Sequence, residues 1–212
     1  MKCYIKDYPR PQFMRTDWEN LNGTWDFGFD DENAGEKEKW YQEFKGDKKI
    51  NVPFTYETKL SGIQDETRHD FIWYHRTINV DGVKLENNRY ILHFEGSDFI
   101  TKVWVNGAYA GSHRGGYARC SFDVTNLVHD GENELTVKVE DSFDTQQPRG
   151  KQRWINENFG CWYVQTTGIW KTVWSEYVPK ISLASVKMTP DLQNAALKLE
   201  YEVAAAEKDL DD

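Results

Sequence analysis

Cysteines and long apolar runs are scarce in this sequence. Its 212 residues include three cysteines, Cys3, Cys120 and Cys161, too few and too widely spaced for a disulfide framework or a structural zinc site. No run approaches the ~20 apolar residues of a membrane span, and the N-terminus lacks the apolar core of a signal peptide. We therefore expect a cytoplasmic protein with free thiols and no membrane partner, and the sequence indicates neither a metal nor a cofactor site.

Positive charge is also in short supply. The chain has 26 Lys and Arg against 35 Asp and Glu, which gives a formal net charge of −9. A negative chain repels phosphate backbones, so binding DNA or RNA would need a local basic patch strong enough to overcome the field of the whole molecule. We expect no nucleic-acid partner.

Local catalytic motifs are missing as well. The sequence contains no G-x-S-x-G, G-x-x-x-x-G-K or H-E-x-x-H pattern. Its five histidines are scattered, and His75 and His93 lie within strand patterns, which favours structural roles. The acidic residues are abundant, but no local spacing pairs two of them as a glycosidase requires. We therefore assign no catalytic residue within this chain.

Short alternating runs of β-branched and aromatic residues dominate what is present. Helical periodicity is almost absent, and turn signals separate the runs, which predicts an all-β antiparallel sandwich. Asp30–Lys39 is the main exception and is expected to form a solvated loop or a short helix. The predicted strands are Phe71–Val80, Arg89–Glu95, Phe99–Asn106, Ala108–His113, Asn133–Asp141 and Ile169–Tyr177.

The pattern changes after Tyr177. Val178-Pro179 ends a strand, because proline has no backbone N–H to donate. Two further strands are then predicted, Ile181–Met188 and Ala196–Val203. Two strands alone are marginal in water. We therefore divide the chain into residues 1–177 and a truncated second β domain, 178–212, and expect a longer parent protein.

One stretch, from Pro148 to Trp174, mixes aromatic and cationic side chains. Sugar rings combine apolar C–H faces with hydroxyl groups, so their binding sites use flat aromatic rings surrounded by polar side chains. The competing explanation is core packing, which we favour for Trp170 and Trp174 on their predicted strand. For Trp154 and Trp162, in the preceding loop, either role fits.

Several motifs of the chain also resemble a known family. FIWYHRTINV, W-V-N-G, H-R-G-G-Y, F-D-V-T, P-R-G-K-Q and T-G-I-W occur in the order found in the N-terminal sugar-binding domain of glycoside hydrolase family 2, from about Asp17 to Tyr177. The resemblance implies a jelly-roll sandwich of galactose-binding-like fold, followed by the first strands of an immunoglobulin-like domain. In that family a separate TIM barrel of ~250 residues carries two catalytic glutamates, too long to fit in this chain.

The resemblance also suggests which residues face a substrate. An acidic residue after the strand equivalent to Asn133–Asp141 contacts the sugar in that family, and Asp141 matches it. The P-R-G-K-Q motif then supplies Arg149, Lys151 and Gln152 to a surface facing the barrel, either at the pocket rim or as an interdomain contact without sugar. Trp154 and Trp162 complete the set; Trp162 stands where relatives carry an acidic residue.

The implied function is help in forming the pocket of a retaining β-glycosidase similar to β-galactosidase or β-glucuronidase. The implied partners are a β-linked sugar substrate and the missing barrel of the same polypeptide, with homo-oligomers possible in the full-length enzyme. The fragment alone is expected to be inactive. The alternative is a free-standing carbohydrate-binding or protein-interaction module, which a parent gene of several hundred further codons would argue against.

Overall fold

Strands make up most of the computed structural model, which describes residues 7–143 and 146–205. In chain order they are β1 Trp18–Asn20, β2 Gly23–Phe29, β3 Lys48–Val52, β4 Phe71–Val80, β5 Asn88–Phe94, β6 Ser97–Asp98, β7 Ile100–Val105, β8 Ala108–Arg114, β9 Cys120–Asp123, β10 Gly131–Glu140, β11 Gly168–Ile169, β12 Val173–Pro179, β13 Ser182–Asp191 and β14 Ala196–Ala204. Helix is limited to α1, Gly82–Leu85, and 3-10 turns at Pro11–Phe13 and Lys59–Ser61. Within the described ranges, no helix is long and apolar enough to cross a membrane.

Two antiparallel sheets enclose the core. One has four strands in the order β1-β12-β5-β9, and the other has six in the order β3-β2-β4-β10-β7-β8. Its central pair, β4 and β10, stays in register over its whole length, from Val80 opposite Gly131 to Phe71 opposite Glu140. The predicted all-β sandwich is confirmed.

Alternating side chains supply the core, as the sequence pattern predicts. The apolar positions of β4 and β5 are almost completely buried because they point between the sheets. These buried residues are Ile72, Tyr74, Ile78, Val80, Tyr90, Leu92 and Phe94. His93 is also buried, with Nε2 3.1 Å from a Glu176 carboxylate oxygen, so its structural role is confirmed.

The outer face of the six-stranded sheet is not left to solvent. A series of turns between Asp30 and Gly46 folds across it, so that Trp73 and Trp104 on that face are also buried. Asp30 anchors the turns by accepting hydrogen bonds from the Gly35 backbone N–H, at 3.0 Å, and from the Trp73 indole N–H, at 2.9 Å. The segment expected to be a solvated loop or helix is thus turn structure packed on the sheet.

The predicted strand Ile169–Tyr177 proves to be two strands. β11 pairs with β6, whereas β12 begins at Val173 and pairs with β5. The chain must therefore change partner strands between them, and no local pattern signals that change. Trp174 is fully buried, as predicted, whereas Trp170 lies in the break, half-buried, and donates its indole N–H to the Gly116 carbonyl oxygen at 2.7 Å.

The last two strands form a separate hairpin. β13 and β14 pair with each other, and Arg10 and Arg15 tie β13 to the sandwich through the carbonyl oxygens of Ala184 and Leu183. Many apolar side chains in and around the hairpin are exposed: Ile181, Leu183, Met188, Leu192, Leu197, Leu199, Tyr201 and Val203. The division into domains at residue 178 stays a prediction.

Candidate functional site

Asp141 follows β10 directly, at one end of the sandwich. Its carboxylate is buried and accepts hydrogen bonds from Gln147 Nε2 at 2.5 Å and Thr167 Oγ1 at 3.0 Å. Burial raises the pKa of Asp141, although these donors and the guanidinium of Arg149, 3.7 Å away, act in the opposite direction. The expected open carboxylate is therefore already held by the protein, and a sugar hydroxyl could reach it only by displacing one of these side chains.

Arg149 lies beside Asp141 and contacts the two residues that follow it. It donates a hydrogen bond to the carbonyl oxygen of Ser142 at 2.6 Å, and its guanidinium lies 5.2 Å from the centre of the Phe143 ring. Arg68 packs on the same ring at 3.7 Å. Two cations on one aromatic ring draw the residue 68 loop and the P-R-G-K-Q turn together.

The two remaining polar residues of the P-R-G-K-Q motif differ in their exposure to solvent. Lys151 is exposed, whereas Gln152 is buried. The side-chain amide of Gln152 donates to Asp98 Oδ2 at 3.0 Å and accepts from the Thr166 backbone N–H at 2.8 Å. Gln152 is thus an internal crosslink rather than a group offered at a pocket rim.

Trp154 and Trp162 lie further along the loop and contact each other. Their rings meet edge to face with centroids 4.7 Å apart, and Phe159 stacks on Trp162 at 5.2 Å. Trp154 is 44% exposed and Trp162 is half-buried. The three rings form an aromatic cluster on a loop, which provides apolar surface of the kind that a sugar face can cover.

Sequence reasoning missed Arg153, although it follows the P-R-G-K-Q motif directly. Its guanidinium is buried and donates to the side-chain oxygens of Gln165, at 2.9 Å, and Asn158, at 3.2 Å, and to the Glu66 backbone carbonyl. All three acceptors are neutral. Arg153 thereby joins the loop of residues 151–165 to residue 66, a contact between positions 87 residues apart that a local pattern cannot show.

An open cavity of about 820 Å³ lies beside Arg153. Its lining mixes both charges: Asp31, Glu66, Thr67, Arg68, Asp70, Arg153 and Asn156. The cavity adjoins Asp141, whose backbone N–H donates to the Asp70 carbonyl oxygen at 2.9 Å. Such a polar, open cavity suits a hydroxyl-rich ligand better than an apolar one.

Two further buried carboxyl groups surround the Thr166–Gly168 segment. Glu57 accepts from the Thr167 backbone N–H at 3.0 Å, and burial raises the pKa of Glu57 to about 7. Burial, with the charge of Asp141, raises the pKa of Asp98 to about 6. Together with Asp141, these groups fix the T-G-I-W motif at the same end of the sandwich. Within the parts of the chain that are described, His, Cys, Asp and Glu form no group of three or more suited to a metal ion.

Comparison of the sequence with known protein families gives a match over most of the chain. Residues 18–174 match the family described as "Glycosyl hydrolases family 2, sugar binding domain". The chain belongs to glycoside hydrolase family 2. The matched range contains all six of the predicted sugar-facing residues, together with Glu57, Asp98 and Arg153.

Relatives of this family 2 chain carry two enzyme names. The β-galactosidase of Thermoanaerobacter pseudethanolicus is 26% identical over 205 residues, which cover 93% of this chain and 25% of that protein. The β-glucuronidase of Paenibacillus borealis is 29% identical over 144 residues, 66% of this chain and 23% of that protein. The chain therefore spans about a quarter of the length of these relatives.

Solved structures show the same fold. The β-glucuronidase of Ruminococcus gnavus in complex with uronic deoxynojirimycin superposes with a TM-score of 0.74 at 20% identity, covering 92% of this chain and 35% of that one. A β-glucuronidase from an uncultured Clostridium species gives 0.68 at 25% identity, covering 90% and 34%. This family 2 domain is thus a β-sandwich found within larger glycosidases.

Proposed function

We propose that this chain is the domain that completes the substrate pocket of a retaining β-glycosidase, whose two catalytic carboxylates lie elsewhere in a longer polypeptide. The observation that carries the proposal is an open polar cavity of about 820 Å³ lined by Arg153, Arg68 and Asp70. Asp141 adjoins it through its hydrogen bond to Asp70, and Arg149 adjoins it through the Phe143 ring that it shares with Arg68. Strand ends and loops at one end of a rigid sandwich are where binding groups can vary without disturbing the core.

The chemistry proposed for the whole enzyme divides between its parts. In a retaining mechanism one carboxylate attacks the anomeric carbon, while the other protonates the leaving oxygen and later activates water. This domain would supply polar groups that position the glycoside and exclude water from one side. Arg153 is suited to positioning because its guanidinium is already fixed by three neutral acceptors and does not need to be ordered on binding.

The buried carboxyl groups support an indirect role for part of the predicted site. Gln147 and Thr167 hold Asp141, and Gln152 holds Asp98, so these residues set the shape of the T-G-I-W segment. We propose that Asp141 contacts the sugar only after Gln147 moves, whereas Arg149 and Gln152 act as positioning residues. Trp154 and Trp162 would then provide the apolar surface that borders the pocket.

A calorimetric titration of the 212-residue chain tests the proposal. A domain that forms only one side of a pocket binds its ligand weakly, so we expect dissociation constants of about 1 mM or higher for galactose and glucuronate. Micromolar binding of either monosaccharide would contradict the proposal and favour a free-standing carbohydrate-binding module.

A further inference from the structure

A second cleft of about 860 Å³ lies on the outer face of the six-stranded sheet. One wall is the 40–46 segment, and the floor includes His75 of β4, which pairs with Thr136 of β10. Thr136 precedes Asp141 by five residues, which is roughly 16 Å along a strand. The cleft is therefore separate from the cavity beside Arg153.

Aromatic rings in this cleft are fixed as flat surfaces. Tyr41 stacks on Trp104 with ring centroids 5.3 Å apart and planes 9° from parallel, and Phe44 stacks on His75 at 5.0 Å and 19°. Trp40, Tyr41 and Phe44 are all only half-buried. Their stacking partners immobilise the rings, so the exposed ring surface needs little further ordering when a ligand binds.

Polar groups border these rings. His75 Nε2 lies 2.6 Å from Glu134 Oε2, and His75 Nδ1 lies 3.7 Å from Asp26 Oδ2. The Glu134 side chain is 52% exposed and that of Asp26 is 35% exposed, so both carboxylates also face solvent. A carboxylate accepts hydrogen bonds from more than one hydroxyl at a time.

Two glycines set the position of the wall. A Cβ atom at Gly28 would lie 2.7 Å from the Cα of Gly46 and 3.2 Å from the Trp40 ring. Glycine at residue 28 thus allows the 40–46 segment to lie directly against β2. The wall of the cleft is consequently packed closely on the sheet.

We propose that this cleft binds a neutral saccharide unit. A sugar ring offers an apolar face to the flat aromatic surface and hydroxyl donors to Glu134 and Asp26. Asp26 is also ion-paired with Lys49, whereas the half-exposed carboxylate of Glu134 repels anionic ligands such as uronates or phosphates. A quaternary ammonium ion is best held between several ring faces that surround it, whereas Tyr41 and Phe44 already use one face each for stacking.

An NMR titration of the isotopically labelled 212-residue chain tests this site. With lactose or cellobiose we expect shifts of the Gln42 and Gly107 backbone amide signals and a dissociation constant of about 1–10 mM. Glucuronate and choline should leave these signals unchanged. Absence of shifts with both disaccharides up to about 50 mM, or stronger binding of glucuronate or choline, would overturn the proposal.

Matched variants separate this cleft from the cavity beside Arg153. Loss of a hydrogen bond to a charged group should make Glu134→Gln bind lactose or cellobiose about tenfold more weakly, whereas Glu132→Gln, two residues away on the exposed part of β10, should bind normally. Equal affinity of the wild type, Glu134→Gln and Glu132→Gln for the disaccharide would contradict the assignment of Glu134 to this binding site. Signals of Thr67 and Asn156, which line the other cavity, report that cavity independently, so failure at one site does not imply failure at the other.

Discussion

Burial sets the direction of the pKa shift of the three carboxyl groups around the T-G-I-W segment. It is the largest cause of the raised pKa of Glu57, Asp98 and Asp141, and it outweighs the hydrogen bonds that each receives. Removing a carboxylate from water penalises its charged form, so protonation is favoured at each of these positions. The stability of this end of the sandwich should therefore depend on pH.

Glu57 allows the sign of that dependence to be worked out. Its pKa rises from 4.5 to about 7 on folding, so the folded protein binds more protons than the unfolded chain between these values. The contribution of Glu57 to stability is then fully present below pH 4.5 and is lost as pH rises through 7, by about 3 kcal/mol. Urea unfolding at pH 5, 6, 7 and 8 should show Glu57→Gln with a flatter dependence and greater stability at pH 8.

The control for Glu57 is a carboxyl group in water. Glu43 is exposed, so Glu43→Gln serves as the control for removing one carboxyl group from the surface. An identical slope in the wild type and Glu57→Gln would show that Glu57 is not the titrating group.

Asp141→Asn tests the role of Asp141 in positioning substrate. Asparagine keeps an acceptor for Gln147 and can donate to the Thr167 hydroxyl, so we expect a change in the free energy of unfolding below about 1 kcal/mol. In the longer polypeptide we expect kcat/KM to fall about tenfold or more, equivalent to ~1.4 kcal/mol of transition-state binding. Unchanged kcat/KM rejects the assignment, and a large loss of thermal stability would make Asp141 a structural residue.

At the scale of elements, the turn into β11 depends on glycine. Gly168 has φ of +87°, and a Cβ atom there would lie 2.2 Å from the Tyr74 hydroxyl oxygen. Gly168→Ala should therefore lower the free energy of unfolding by about 3 kcal/mol, from backbone strain plus the clash. Gly131 has the same φ of +87° with no atom within 4 Å of the added Cβ.

Gly131→Ala is consequently the matched control. Backbone strain alone should lower its free energy of unfolding, by about 1 kcal/mol. Chemical denaturation of both variants measures the difference. Equal losses would mean that close packing against Tyr74 does not set the position of the T-G-I-W segment.

The N-terminal segment and β12 meet at one buried carboxylate. Glu176 is 1% exposed and accepts hydrogen bonds from Tyr8, Arg15 and His93, while Arg15 also donates to β13. Glu176→Gln leaves Arg15 without its counter-charge in a largely buried position, so we expect a loss of about 2–3 kcal/mol in unfolding free energy. Glu200→Gln, at an exposed pair on the hairpin, should cost less than about 0.5 kcal/mol. Similar losses of stability for Glu176→Gln and Glu200→Gln in a thermal melt would contradict this role of Glu176.

Strands were easier to predict than the contacts between loops. β4 and β10 follow directly from alternation, because each has one face in the core. The break between β11 and β12 could not be predicted, since it depends on which strand each segment pairs with. Asp141 was assigned through the family resemblance, but its burial depends on Gln147 and Thr167. Glu57 and Arg153 were missed because their contacts with Thr167 and Glu66, respectively, join positions far apart in sequence.

The whole molecule corresponds to only part of the length of its curated relatives. It spans about a quarter of the length of the curated relatives compared above, and its described residues form a sandwich, a loop cluster with an open cavity, and one exposed apolar hairpin. A cavity open on one side can position a sugar but cannot enclose it. We therefore expect binding groups here and bond cleavage in the rest of the polypeptide.

Hydrolysis of 4-nitrophenyl β-D-galactoside and β-D-glucuronide tests this division most directly. The measurement compares equal concentrations of the purified 212-residue chain and of the longer polypeptide read from its gene. We predict release of nitrophenol from at least one glycoside by the longer polypeptide and none above a mock preparation by the chain alone. Turnover by the 212-residue chain, or its absence from the longer polypeptide, would contradict the account.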